Sequence, residues 1–347
     1  MKCQICQKEK IVSQILKCCL DCIRNFPEKT KKFIFNAHKI SKEKFDLPYP
    51  PPKEGKIVCN LCQNRCQMGD NEISFCGLRK NEKGKLKILA GTNEAILRWY
   101  FDPLPTNCVA SFVCEGSKKF GKKNLAIFYG ACTFDCLFCQ NWHFRFLTKN
   151  LEPKFKVEEI VKIIDKETFC VCFFGGDPTP QLPHALKLAK EMAKKGLRVC
   201  WETNGGMNEN LLRKMAEISL KSKGIIKFDL KAFNENLNLA LTGVSNRQTL
   251  KNFEILAKEY LPKAKGIFLV ASTLLVPGYI DKKEVFDIAN FISKLNPEIP
   301  YSLLGFYPHY LMKDLPLYTF KEAKECFKIA KEAGLKKVNL GNLHLFI

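Results

Sequence analysis

The 347-residue sequence has no apolar run that approaches the roughly 18–20 residues needed to cross a bilayer. Its first residues, MKCQICQKEK, carry no apolar signal core, so the expectation is a cytoplasmic protein without a membrane span. Acidic residues are scarce beside basic ones: 35 Asp and Glu against 56 Lys and Arg give a formal net charge of +21. That excess raises the question of a nucleic-acid partner. A clustered stripe of basic and aromatic residues is missing, however. Lys and Arg are spread through every segment, mostly beside Glu or Asp, as in KEAKECFKIAKEAGLKK. Solvated helix faces account for that pattern, and the expectation is against nucleic acid.

Cysteine is what the chain has in excess, with 18 residues. In a small secreted chain that would mean a disulfide scaffold. In a large chain without a signal, closely spaced cysteines are expected as metal or cluster ligands, reduced until a soft metal takes them.

Residues 1–56 form a Lys- and Cys-rich opening that ends in the Pro cluster LPYPPPKEG, a linker signal. Residues 57–123 form a second cysteine-rich stretch with many turns and little periodicity. Over 124–347 the texture changes to short apolar runs that alternate with amphipathic segments of helical length. NLAIFYG precedes VEEIVKIIDKE, and FCVCFFGG precedes LPHALKLAKEMAKKG. LRVCWETNG, IIKFDLKA, GIFLVASTLLVPG and YSLLGFYP are each followed by a segment of the same kind, and KKVNLGN closes the series. The strand runs are apolar throughout rather than alternating, as in a parallel sheet covered on both faces. Six βα units fall short of a full barrel, so the expected fold is α/β, a partial (β/α)6 barrel of the TIM type. Chemistry in such folds sits beyond the C-terminal strand ends.

Directly after the first of these strands comes YGACTFDCLFCQNW, with Cys132, Cys136 and Cys139 spaced C-x3-C-x2-C. A closed zinc site needs four ligands, and a cubane iron–sulfur cluster normally takes four thiolates. Three thiolates leave one iron open to a substrate or cofactor. The plainer alternative is a structural zinc that borrows Cys108 or Cys114.

This triplet after the first strand of a βα barrel, with the aromatic Phe138 before its last cysteine, resembles the radical S-adenosylmethionine (SAM) superfamily. The resemblance implies a 4Fe–4S cluster on Cys132, Cys136 and Cys139 whose unique iron is chelated by SAM. It implies reductive cleavage of SAM to a 5′-deoxyadenosyl radical that abstracts hydrogen from a substrate. FFGGDPTP resembles the family's Gly-Gly-Glu motif, so Gly175, Gly176 and Asp177 are implied on the SAM amino group, with Asp in place of the usual Glu. WETNGG and KFDLKAFNENLNLALTGVSNRQTL are similar to the corresponding segments of pyruvate formate-lyase activating enzymes. That similarity implies Glu202, Thr203 and Asp229 as ligands of a monovalent cation, with Asn204 in the same segment and Lys231 as a polar contact to SAM. LLVPGY resembles the family's Val-Pro-Gly on the adenine side. His309, in LLGFYPHY, faces the same end of the barrel and is a further candidate for adenine or substrate. Asn141 and Trp142 follow the cluster loop.

Cys59, Cys62, Cys66 and Cys76 are spaced C-x2-C-x3-C-x9-C, a set that suits zinc or a fully ligated auxiliary cluster. Together with CGLRKNEKGKL and the tail GNLHLF, this stretch resembles the AmmeMemoRadiSam-system radical SAM proteins. Cys3, Cys6, Cys19 and Cys22 form the two knuckles of a zinc ribbon, with Cys18 an alternative to Cys19. Cys170, Cys172, Cys200 and Cys326 read as buried apolar fillers. The expected function is a radical SAM enzyme, including the branch that activates glycyl-radical enzymes. A reductant such as ferredoxin or flavodoxin and a substrate that is a small molecule, lipid, peptide or protein are the implied partners. The competing reading is an RNA-modifying enzyme that grips RNA with the basic surface and the ribbon.

Overall fold

The apolar runs become the strands of one large sheet. The computed structural model describes all 347 residues. Nine strands make the sheet: β1 (Glu94–Pro103), β2 (Lys123–Tyr129), β3 (Lys154–Lys156), β4 (Thr168–Gly175), β5 (Arg198–Thr203), β6 (Ile226–Asp229), β7 (Leu269–Leu274), β8 (Tyr301–Leu304) and β9 (Val338–Gly341). In space their order is β9-β8-β7-β6-β5-β4-β2-β1-β3. From β2 to β9, leaving out β3, the neighbours are all parallel. β1 and β3 add an antiparallel edge. The sheet is therefore open, as the six βα units and their closing strand imply.

Crossover helices cover its outer face: α5 (Leu182–Lys194), α6 (Glu209–Ser222), α7 (Glu235–Thr242), α8 (Arg247–Ile255), α9 (Lys282–Leu295) and α10 (Phe320–Glu332), numbered after four helices nearer the N-terminus. On α5, Leu182, Ala185, Leu186, Leu188, Ala189 and Met192 are buried, the stripe of a 3.6-residue period. Side-chain caps fix the starts. Asn208 accepts from Leu211 N at 2.9 Å, Asp281 from Glu284 N at 2.8 Å, and Thr319 with Glu322 forms a capping box. Trp201 of β5 is fully buried, stacks on Phe173 at 4.4 Å and donates to Ser219 Oγ at 2.8 Å.

Two elements have no counterpart in the sequence pattern. The helix α2 (Pro27–Glu43), which follows the short α1 (Leu20–Asn25), buries Thr30, His38, Ser41 and Lys42 beside Ala37. Its inward face is polar, so no apolar stripe announces it. β1 buries Ala95, Ile96 and Leu97 in succession and then runs half-exposed, which reads as neither a clean alternation nor a buried run. The helix α3 (Phe144–Asn150) follows the cysteine triplet, and α4 (Val157–Lys162) is shorter than VEEIVKIIDKE suggests. Asp165 Oδ1 accepts from Glu167 N at 3.0 Å and from Thr168 Oγ1 at 3.0 Å, and that turn leads the chain into β4.

The N-terminal segment docks on the barrel. Arg24 makes a bidentate pair with Asp281 at 2.8 Å and reaches Glu284 at 2.6 Å. Glu284 also accepts from Asn234 N at 2.8 Å, so one buried carboxylate ties α1, α7 and α9 together.

Candidate functional site

The loop after β2 is pinned from several sides before any cysteine is considered. Asp135 N and Leu137 N donate to the carbonyls of Thr242 and Leu241 at the end of α7, at 2.7 and 3.0 Å. Gly176 N and Asp177 N donate to Tyr129 O and Ala131 O at 2.9 and 3.0 Å, which joins the β2 and β4 loops. Gly176 has no room for a side chain: a Cβ there would lie 2.0 Å from Ala131 O. At Gly175, φ is 117° and a Cβ would lie 2.5 Å from Tyr129 N.

Twelve of the candidate residues then line one cleft at the C-terminal strand ends. Cys132, Cys136, Phe138 and Cys139 come from the β2 loop, and Gly175, Gly176 and Asp177 from the end of β4. Glu202, Thr203 and Asn204 end β5, and Asp229 and Lys231 end β6. Leu274 and Leu304 close it from β7 and β8. No fourth cysteine reaches the cleft. Cys108 and Cys114 line a different cavity, so neither serves a zinc at the triplet.

His309 lies outside the cleft lining. Its Nδ1 accepts from Tyr310 N at 3.0 Å, and its ring lies 6.3 Å from that of His143. Trp142 stacks on Tyr310 at 5.4 Å, whereas Asn141 does reach the cleft. Gly278 of LLVPGY sits against Ile11 of the N-terminal segment, and only Leu274 of that motif lines the cleft.

Burial pushes the triplet thiols up, Cys136 to about 12, while Lys231 pulls in the opposite direction. Lys231 is paired with Asp229 at 2.7 Å, and Ser272 Oγ donates to the other Asp229 oxygen at 2.7 Å. A second cation, Arg145 of α3, also lines the cleft. Its Nη2 lies 2.7 Å from Asp135 Oδ1 without hydrogen-bond alignment, and Nε and Nη2 are buried with no hydrogen-bond partner. Three thiols and two flanking cations, one of them a buried guanidinium with Nε and Nη2 free of hydrogen bonds, fit an anionic thiolate-held cluster. The glycine pair gives a backbone cradle beside it.

Asp177 is fully engaged within the protein. It accepts from Thr179 N, Thr203 Oγ1 and Asn204 N, each at 2.8 Å, and thereby ties the β4 loop to the β5 loop. Glu202 lies 3.2 Å from Lys227 Nζ. The three implied cation ligands therefore each have another partner: Glu202 has Lys227, Thr203 has Asp177 and Asp229 has Lys231.

Asp135, inside the triplet, is a residue that the motif reading passed over. It is fully buried and accepts from Ser41 Oγ at 2.8 Å, with His38 Nδ1 also at 2.8 Å. Arg145 and His38 hold its carboxyl below the usual carboxylate range against the cost of burial. The signal was the Asp within CTFDCLFC; its partners, on an unforeseen helix, gave none.

The ribbon cysteines come together as expected. The sulfurs of Cys3, Cys6, Cys19 and Cys22 all lie within 4.8 Å of one another, with Cys3–Cys22 and Cys6–Cys19 at 3.8 Å. A tetrahedron with Zn–S bonds of about 2.3 Å has edges of about 3.8 Å. Cys18 is instead part of the main core, so Cys19 is the ribbon ligand in geometry. Cys59, Cys62, Cys66 and Cys76 do not close to that distance. Cys59 and Cys66 share a small core with Phe134 of the cluster loop. Gln63 N donates to Gly206 O at 2.9 Å and Asn64 Nδ2 to Thr133 O at 2.8 Å, so this set abuts the cleft.

Comparison with known proteins agrees with this geometry. The family model of the radical SAM superfamily matches residues 126–292. An uncharacterized protein of Methanocaldococcus jannaschii is 24% identical over 85% of this chain and 84% of its own length. Another protein of that organism, assigned by name to the glycyl-radical enzyme activating enzymes, is 31% identical over 60% of this chain and 75% of its own. The pyruvate formate-lyase-activating enzyme of Staphylococcus aureus is 28% identical over 52% and 74%. With the triplet, the glycine pair and the open parallel barrel in place, the chain belongs to the radical SAM superfamily and is an enzyme of that kind.

Proposed function

We propose that the cleft binds a 4Fe–4S cluster through Cys132, Cys136 and Cys139 and SAM beside it, and that the enzyme abstracts a hydrogen atom from its substrate. The single observation that supports this most is the meeting of twelve residues from four separate strand ends around one cleft that contains three cysteines and no fourth. When bound, the cluster and SAM supply an electron and a 5′-deoxyadenosyl radical. The chain's own residues do the rest. The three thiolates ligate iron, and Arg145 and Lys231 offset the anionic charge. Phe138 packs under the loop, and Gly175 and Gly176 let the backbone approach the SAM amino group. Asp177 holds the β4 and β5 loops in register while it faces that group. Glu202, Thr203 and Asp229 take a monovalent cation by exchanging their present partners, and Asn204, whose Nδ2 is 3.5 Å from Cys132 Sγ, orients the nearest ligand. Leu274 and Leu304 exclude water.

The names of the relatives favour a protein substrate of the glycyl-radical class as one branch of this function. The Cys3 set is read as structural zinc. The Cys59 set, too wide for one ion and adjacent to the cluster loop, is read as an auxiliary cluster that passes electrons from a ferredoxin- or flavodoxin-type reductant. The test of the cleft is spectroscopic. The reduced, reconstituted full chain should give a 4Fe–4S electron paramagnetic resonance signal that changes shape when SAM is added. A signal indifferent to saturating SAM would sink the reading.

A further inference from the structure

Below the cleft, toward the N-terminal ends of the strands and beyond the shared walls Glu202 and Phe174, lies a second cavity. Cys108, Cys114, Cys170, Cys172 and Cys200 line it. Cys172 on β4 and Cys200 on β5 are in register. Cys108 and Cys114 come from segment 104–118, which packs under the sheet through Ala110 and Val113. Lys227 of β6 reaches into the centre, 3% exposed. Its Nζ donates to Cys172 Sγ at 3.1 Å and to Cys108 Sγ at 3.2 Å, with Glu202 at 3.2 Å.

Cysteines that merely fill space pack against carbon. Here two sulfurs accept from a buried ammonium beside a cavity that the cysteines line. A buried cation is costly unless its surroundings are built for positive charge. Sulfurs and one carboxylate are the surroundings that a soft metal also selects.

Local geometry points the same way. Ala110 N donates to Cys108 Sγ at 3.5 Å, and Gly116 N donates to Cys114 Sγ at 3.3 Å. The same amide-to-sulfur turn, two residues on, occurs at Cys132 with Phe134 N and at Cys3 with Ile5 N, both prospective ligands. Ile225 N adds a bond to Cys200 Sγ at 3.4 Å. Amides aimed at sulfur stabilise thiolates and are a feature of cluster ligation. Cys170 differs, because its thiol is directed at Asn124 Oδ1 at 3.3 Å. No three of these sulfurs meet the 4.8 Å spacing of the ribbon set, so a single tetrahedral ion does not fit them as they stand. Ligands to different irons need the wider spacing.

We propose that this chamber binds a further iron–sulfur cluster through Cys108, Cys114, Cys172 and Cys200, with Lys227 and Glu202 between it and the cleft above. Binding displaces the thiol protons to solvent, and Lys227 stays beside the cluster as its counter-charge. The chamber shares no cysteine with the cleft, so the two assignments fail separately.

Anaerobic reconstitution of the full chain with iron and sulfide tests this. The double variant Cys108→Ala/Cys172→Ala should bind fewer irons and sulfides per chain by about two or more, the content of the smallest cluster. The SAM-responsive signal should remain. In the wild-type chain, Cys108 and Cys114 should react with iodoacetamide before reconstitution and be protected after it. Unchanged iron and sulfide in a variant with native circular dichroism would overturn the assignment. So would equal labelling of Cys108 and Cys114 before and after, or protection by zinc alone. If the double variant does not fold, the labelling of the wild-type chain decides.

Discussion

Asp135 carries more of the site than its place between two cysteines suggests. It is the one carboxylate among a buried arginine, a buried histidine and a buried hydroxyl, and it orients the loop on which the triplet sits. Asp135→Asn removes the charge and leaves Arg145 unpaired, which should cost about 3–5 kcal/mol. A thermal unfolding midpoint equal to that of the wild type would contradict this. Gly176→Ala places a methyl 2.0 Å from Ala131 O, so the β2 and β4 loops must separate. SAM affinity, read by equilibrium dialysis, should fall at least about tenfold, equivalent to about 1.4 kcal/mol. Residue types were legible here only where they formed a spaced motif. The triplet, the glycine pair and the acidic strand ends could be placed from the sequence. Asp135, Arg145 and His38 could not, because their partners are 10 to 97 positions apart and share no spacing rule.

At the scale of elements, the parallel strands were readable because each is apolar on both faces, and the helices because their stripes recur at 3.6 residues. Helix α2 was not, since a polar inward face built from Thr30, His38, Ser41 and Lys42 resembles a solvated one. The half-buried edge strand β1 left a similarly ambiguous trace. Helix α2 reaches the site through His38 and Ser41, which hold Asp135, so its loss would be felt there. The ribbon should carry one zinc per chain, and Cys3→Ser/Cys22→Ser should lose that zinc with iron unchanged by metal analysis. Retention of zinc would show that the four sulfurs are not its ligands. The clamp between ribbon and barrel is Arg24. Arg24→Ala should destabilise the chain by about 1–3 kcal/mol, less than a fully buried pair because Asp281 is partly exposed and Glu284 keeps its backbone donors. Denaturant unfolding measures it, and an unchanged midpoint would refute the clamp.

For the molecule as a whole, the cysteines sort by place: four in the ribbon, four beside the cluster loop, three in the cleft and five in the chamber below. Cys18 and Cys326 lie in the main core. The excess of lysine is largely a surface matter, with Lys283–Asp287, Lys194–Glu191 and Lys282–Glu325 among many exposed pairs. No helix is long and apolar enough to cross a membrane. The chain is thus organised around one open strand end. Reconstituted full chain given dithionite and SAM should release 5′-deoxyadenosine, detected by liquid chromatography and mass spectrometry, and Cys136→Ala should release none. Wild-type protein that binds SAM and yields no deoxyadenosine, or a Cys136→Ala variant that still yields it, would contradict the account.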